Sequence, residues 1–170
     1  MITTVLIEHP WLVPLLFFAA VGVGIAAGAA VAPRPRLAWI LTALSASPVV
    51  LLTLWPSGTT AFPGCEVAWS VPSFAAVESG ANVALFVVPV LLAAVAMRRP
   101  VLAFVGGSVA SAAIELVQST VTVLGRSCST NDWLWNTSGA AIGALLALVV
   151  LSLARRRHRS RSPGRGTAAY

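Results

Sequence analysis

The sequence contains no lysine, a single aspartate and only two histidines, and its charged residues make up 9% of 170 positions. Average soluble domains carry about 25% Asp, Glu, Lys and Arg, so this chain has too little polar surface to stay in water. His9 and His158 stand near opposite ends of the sequence, and there are only two cysteines. This leaves no residue set at metal-ligand spacing and no His-based nucleophile triad. An HExxH pair and a phosphate-cradling glycine loop are also missing. The remaining nucleophiles are Ser and Thr with no base beside them. The expectation is therefore a protein without cofactor or metal and without catalytic activity. A Glu115 and Asp132 acid–base pair is the single catalytic arrangement left open.

What the chain has in abundance is hydrocarbon: 58% of residues are hydrophobic and the mean hydropathy is +0.88. A spanning helix needs about 20 mainly apolar residues. Five such runs are present, over Trp11–Val31, Leu37–Trp55, Ala81–Met97, Val101–Val123 and Trp133–Ala154. The fold class is read as all-α, an integral membrane bundle of about five transmembrane helices filling residues 1–154. The third run is the shortest and holds Pro89, whose missing N–H favours a kink, a tilted span or a re-entrant segment.

Arginine sets the orientation, because positive residues collect in cytoplasmic loops. Arg34 and Arg36 follow span one, Arg98 and Arg99 follow span three, and six more run from Arg155 to Arg165. Five spans put all ten on one side, so the amino terminus is expected outside and the carboxyl terminus in the cytoplasm. Trp11, Trp39, Trp55 and Trp133 fall at span ends, as interfacial indoles do. The tail 155–170, containing "RRRHRSRSPGRG", is too polar to fold alone and is expected to be disordered. Its juxtamembrane position makes anionic lipid headgroups, not nucleic acid, the expected partner for a net charge of +6.

The polar residues that interrupt the apolar background gather toward the expected outer side. Glu115 lies within span four, on the order of 9 Å below its outer end, a costly depth for an acid. Gln118 follows at i+3 on the same face, and Ser111 and Ser108 extend that face inward. Such a stripe must face other helices or a wet cleft. Span five supplies a matching face: Asp132, Asn136, Gly139 and Gly143 are spaced i, i+4, i+7 and i+11, and the glycines form a GxxxG pair suited to close helix packing. The short connection between the two spans carries Arg126, whose planar fork suits a carboxylate or a phosphate. It is expected to reach both Glu115 and Asp132. Asn82 sits at the outer end of span three, level with Asn136.

The ordered set Glu115–xx–Gln118, Arg126, Asp132–xxx–Asn136–xx–Gly139–xxx–Gly143 resembles the signature of VanZ-like membrane proteins, and "NVALFVVP" from Asn82 resembles that family's Asn/Phe segment. The resemblance spans about residues 80–150. It implies an integral protein of the bacterial cell envelope, in the plasma membrane, some of whose relatives reduce sensitivity to lipoglycopeptides such as teicoplanin. Where the family often has a further acid between the Arg and the Asp, this chain has Ser129, so a mechanism needing two loop carboxylates does not fit.

Joined to the residues, this gives the leading expectation: an outward-facing site for an envelope lipid, a lipid-linked cell-wall precursor or a lipoglycopeptide. Arg126 would hold the anion, Asn82, Gln118 and Asn136 would shape the pocket, and Glu115 and Asp132 would orient the arginine. Two other readings stay open: a scaffold or partner-binding protein whose Glu115, Arg126 and Asp132 neutralise one another, and a small proton-linked transporter using Glu115. Cys65 and Cys128 both fall in loops expected outside, where an oxidising environment permits a disulfide. A bridge would draw the loop Pro56–Gly80 beside Arg126.

Overall fold

The computed structural model of the chain describes residues 8, 9, 11–58, 64–71 and 77–160. It contains five long helices: α1 Leu12–Val31, α2 Pro35–Leu54, α3 Val77–Met97, α4 Pro100–Thr120 and α5 Thr130–Ser160. All five are long and apolar enough to cross a membrane, so the chain is an all-α, multi-pass membrane protein. Among the described residues the one strand pairing is a two-residue parallel ladder, β1 Cys65–Glu66 with β2 Cys128–Ser129, beside the Cys65–Cys128 disulfide.

Local chemistry explains the helix ends. Arg34 and Arg99 precede prolines that occupy the first turns of α2 and α4, where the missing N–H costs nothing and φ is already helical. Arg98 takes a left-handed φ of 55° and so ends α3 in a tight turn. At the other end of α4 the chain passes through a 3-10 turn, Thr122–Leu124, and Gly125 at φ 62° reverses it toward β2. The helices alternate in direction. One end of the bundle therefore carries Arg34, Arg36, Arg98, Arg99, Arg155 and Arg156, and the opposite end carries the disulfide.

Two boundaries differ from the sequence expectation by more than three residues. The third helix is not a short or re-entrant segment. It begins at Val77, before Glu78 and Ser79, and continues through Pro89 to Met97. The polar residues of its first turn hid its true start, and the helix stays continuous through a half-buried Pro89. The segment 155–170 was expected to be unfolded from its first residue, yet α5 continues through Arg155 to Ser160. Extending an existing helix costs far less than nucleating one, and arginine is a good helix former whose charge suits a helix C-terminus. Residues 161–170 lie outside the described region.

The third helix is the hub and the most buried of the five. Its Leu91 and Ala94 are fully enclosed, with Val87 and Val95 nearly so. The most extensive interface is with α5, and the GxxxG pair makes it: a Cβ at Gly139 would strike the carbonyl oxygen of Val83, and one at Gly143 that of Val87. The glycine face, read from sequence as a surface for span four, packs on α3 instead. The fourth helix crosses the same pair through Gly107, where an added Cβ would meet Val90 Cγ2 at 2.8 Å and Ala140 Cβ at 3.0 Å. On the other side α1 lays Gly24 and Gly28 over Val88, Leu91 and Val95 of α3. Small residues thus let backbones meet where lipid gives no hydrophobic drive for helix association. Leucines and valines such as Leu16, Leu44, Val109 and Leu145 stay exposed, as lipid-facing side chains do.

Candidate functional site

At the disulfide end, residues 64–71 lie across the start of α5. The disulfide and the ladder fix one edge, with Cα atoms 4.5 Å apart at the bridge. Thr130 Oγ1 accepts the Ala68 N–H at 2.9 Å and donates to the Ala68 carbonyl at 2.6 Å. Asn131 Oδ1 accepts the Ser70 N–H at 2.7 Å, and Trp135 Nε1 donates to the Ser70 carbonyl at 3.1 Å. Trp69 meets Trp133 edge to face, centroids 6.4 Å apart. Thr130 and Asn131 of "STND" are thereby occupied with the strap.

Beneath this strap the buried polar residues form a seam among α3, α4 and α5. Ser129 Oγ accepts the Asn131 N–H at 3.2 Å, capping α5. The N–H of Ser129 itself donates to Glu115 Oε2 at 2.9 Å. In a capping box this bond comes from an acid on the same helix, three residues after the cap. Here an acid from α4 takes that role, which binds the two helices together. One turn along α5, Asn82 Nδ2 donates to Asp132 Oδ1 at 2.7 Å and ties α3 to α5. Deeper still, Asn136 Nδ2 donates to Ser111 Oγ at 3.0 Å, with both residues buried. Asn136 Oδ1 has no partner among the described residues. Turning the amide over leaves its NH2 orphaned instead. Ser108 and Thr137 share a hydroxyl–hydroxyl bond of 3.0 Å at the next level.

A second seam joins α2 to the α4–α5 hairpin. Gln118 Nε2 donates to the Thr53 carbonyl at 2.8 Å, and Arg126 Nε to the Trp55 carbonyl at 3.2 Å. Ser57 donates through its N–H to the Leu124 carbonyl at 2.9 Å and through Oγ to the Gly125 carbonyl at 2.6 Å. Thr53, Trp55 and Ser57 lie at the C-terminal end of α2, where carbonyls lack intrahelical donors and the helix dipole is negative. Arg126 has gone to that end.

A family profile described as VanZ/LLP1 matches residues 23–151. The chain belongs to the VanZ-like family. No curated protein and no solved structure matches it. The matched region reaches back into α1 and α2, upstream of the segment on which the sequence resemblance rests.

In this VanZ-like protein the signature residues do not meet as one cluster. Asn82, Asp132, Glu115 and Asn136 belong to the α3–α4–α5 seam, whereas Gln118 and Arg126 belong to the α2 seam. The expected arginine bridge between Glu115 and Asp132 is not formed: among the described residues Arg126 makes no ion pair with either acid. The reason is competition. Glu115 is taken by the Ser129 N–H and Asp132 by Asn82, while Gly125 turns the chain so that Arg126 faces the end of α2. Sequence reasoning missed Thr53 and Trp55, which contribute backbone carbonyls and so leave no side-chain signature. It also missed Thr130 and Asn131, whose Ser-Thr-Asn-Asp run does signal a capped helix start.

Proposed function

We propose that this protein sits in the bacterial plasma membrane with its disulfide end outside, and there binds the anionic headgroup of an envelope lipid or lipid-linked cell-wall precursor. Two features support the orientation: the described arginines other than Arg126 gather at one end, as cytoplasmic residues do, and a disulfide, suited to an oxidising compartment, closes the other. The observation that carries the binding reading is the state of Arg126. Its Nε is held by the Trp55 carbonyl, the residue is half-buried, and no carboxylate neutralises it among the described residues. The remaining guanidinium N–H groups then suit the bidentate capture of a phosphate. Trp55 beside it is mostly exposed and gives an interfacial ring for the adjoining apolar part.

We read the site as one for binding rather than catalysis, a reading supported by Glu115, whose Oε2 is engaged by the Ser129 N–H at the start of α5. A lipoglycopeptide carries an acyl chain and ionisable groups, so it is a second class of ligand for this site, and capture of it or of its precursor target would lower teicoplanin sensitivity. The test is thermal protection of the detergent-purified protein by an undecaprenyl-pyrophosphate-linked precursor, compared with Arg126→Gln. Protection of the parent and not of the variant is expected. Equal protection of both ends the proposal.

The scaffold reading has one observation in its favour: the bonds of Glu115 and Asp132 both join helices. It predicts that Arg126→Gln alters nothing and that a protein partner copurifies in stoichiometric amount.

A further inference from the structure

At the arginine end, a groove of about 390 Å³ opens between the first turn of α4 and the last turns of α5. Its lining divides into two parts. Leu148 and Leu151 form an apolar lower wall, while Pro100, Ser152, Arg155 and Arg156 surround the mouth. Leu148 precedes Arg155 by seven residues, so the apolar wall begins on the order of 10 Å deeper along the helix. The groove thus runs from headgroup level into the acyl region.

The charge around it is unbalanced. The sequence has five acids, Glu8, Glu66, Glu78, Glu115 and Asp132. All belong to the disulfide end, before α1, in the strap, at the start of α3, near the end of α4 and at the start of α5. No acid lines the groove. Arg34, Arg36, Arg98, Arg99, Arg155 and Arg156 share this end, and Arg98 donates to the Ala32 carbonyl. The fourth helix adds partial positive charge, because its N-terminus opens here with no side-chain cap. Neutralisation must come from outside the described chain, at a surface that already faces lipid.

We propose that this groove is a binding site for an anionic diacyl phospholipid from the leaflet on the arginine side. The phosphate sits between Arg155, Arg156 and the uncapped start of α4, and one acyl chain lies along Leu148 and Leu151. A zwitterionic lipid offers the same chain, but its own ammonium opposes the arginines. This site is at the opposite end of the bundle from Arg126 and does not depend on the function proposed above.

The test is native mass spectrometry of the full-length protein released from detergent with dioleoylphosphatidylglycerol and dioleoylphosphatidylethanolamine. The parent is expected to retain phosphatidylglycerol in preference. R155Q/R156Q is expected to weaken its retention about tenfold or more, from the loss of two basic contacts near the surface. S152F fills the groove without changing charge and is expected to weaken it as well. R34Q/R36Q removes the same charge from the same end and is expected to leave retention unchanged. Circular dichroism and a single gel-filtration peak establish that each variant is folded. Equal losses from R34Q/R36Q and R155Q/R156Q would mean diffuse surface attraction and overturn the proposal, as would retention unaffected by S152F or equal retention of the two lipids.

Discussion

Glu115 of α4 accepts the backbone N–H of Ser129, the residue whose hydroxyl caps α5. An acid in a membrane-spanning segment, which looks from sequence like a ligand or a proton carrier, is thus tied to the entry of the next helix. What matters at this position is an acceptor oxygen, which a charge is not needed to supply.

Glu115→Gln therefore keeps the bond through its amide oxygen and is expected to lower stability by less than about 1 kcal/mol. Glu115→Ala leaves the Ser129 N–H unpaired and is expected to cost about 1–3 kcal/mol. Thermal unfolding in detergent separates the two. Equal losses from Gln and Ala would show that the negative charge, not the acceptor oxygen, is the essential property.

The glycine face gives a sharper contrast. Gly139→Ala and Gly143→Ala each place a methyl group against a backbone carbonyl of α3, and carbonyls cannot rotate away as side chains do. A loss of about 1–3 kcal/mol is expected for each, typical of overpacking. Gly106→Ala, on α4, meets nothing within 4 Å, and its better helix propensity makes it neutral or stabilising. The same unfolding assay reads all three.

Asn136 and Ser111 form the buried polar link between α5 and α4. A double-mutant cycle with Asn136→Ala and Ser111→Ala is expected to give a coupling energy near 0.6 kcal/mol and no more than about 1.7 kcal/mol, the range for hydrogen bonds between membrane helices. Because Asn136 Oδ1 lacks a partner among the described residues, Asn136→Ala alone is expected to cost little. A loss of several kcal/mol would reveal a further bonded group at that oxygen.

The bridge between Cys65 and Cys128 is expected to protect both thiols from a maleimide reagent until the protein is reduced. Reduction is expected to lower stability by about 2–4 kcal/mol, and to affect the strap 64–71 before the α3–α5 core, since the strap owes its remaining attachment to a few hydrogen bonds.

Much of this was legible from composition and spacing. Uninterrupted apolar runs fix α1, α2, α4 and the start of α5 to within a few residues, because a lipid-embedded helix must satisfy its whole backbone and cannot stop early. The i, i+4, i+7, i+11 spacing put Asp132, Asn136, Gly139 and Gly143 on one face, which they do share. What spacing cannot convey is which neighbour that face meets. Gly139 and Gly143 went to α3, whose Val83 and Val87 expose carbonyl oxygens rather than distinctive side chains. Arg126 was misplaced for a related reason: an arginine among acids invites an ion pair, but the carbonyl of Trp55 at a helix end competes for it, and every residue has a carbonyl. The start of α3 was obscured by Glu78, which is polar yet favoured by the dipole in a first helical turn.

The Cys65–Cys128 bond also makes the chain a closed ring over α3, the turn at Arg98 and Arg99, and α4. A protease that cuts at those two arginines opens the ring without separating its halves. The amino-terminal piece, ending with α3, stays covalently attached to the piece that begins with α4, so a single nick on the arginine side is silent on a non-reducing gel. Only a thiol reagent applied at the far end of the bundle lets the two pieces part.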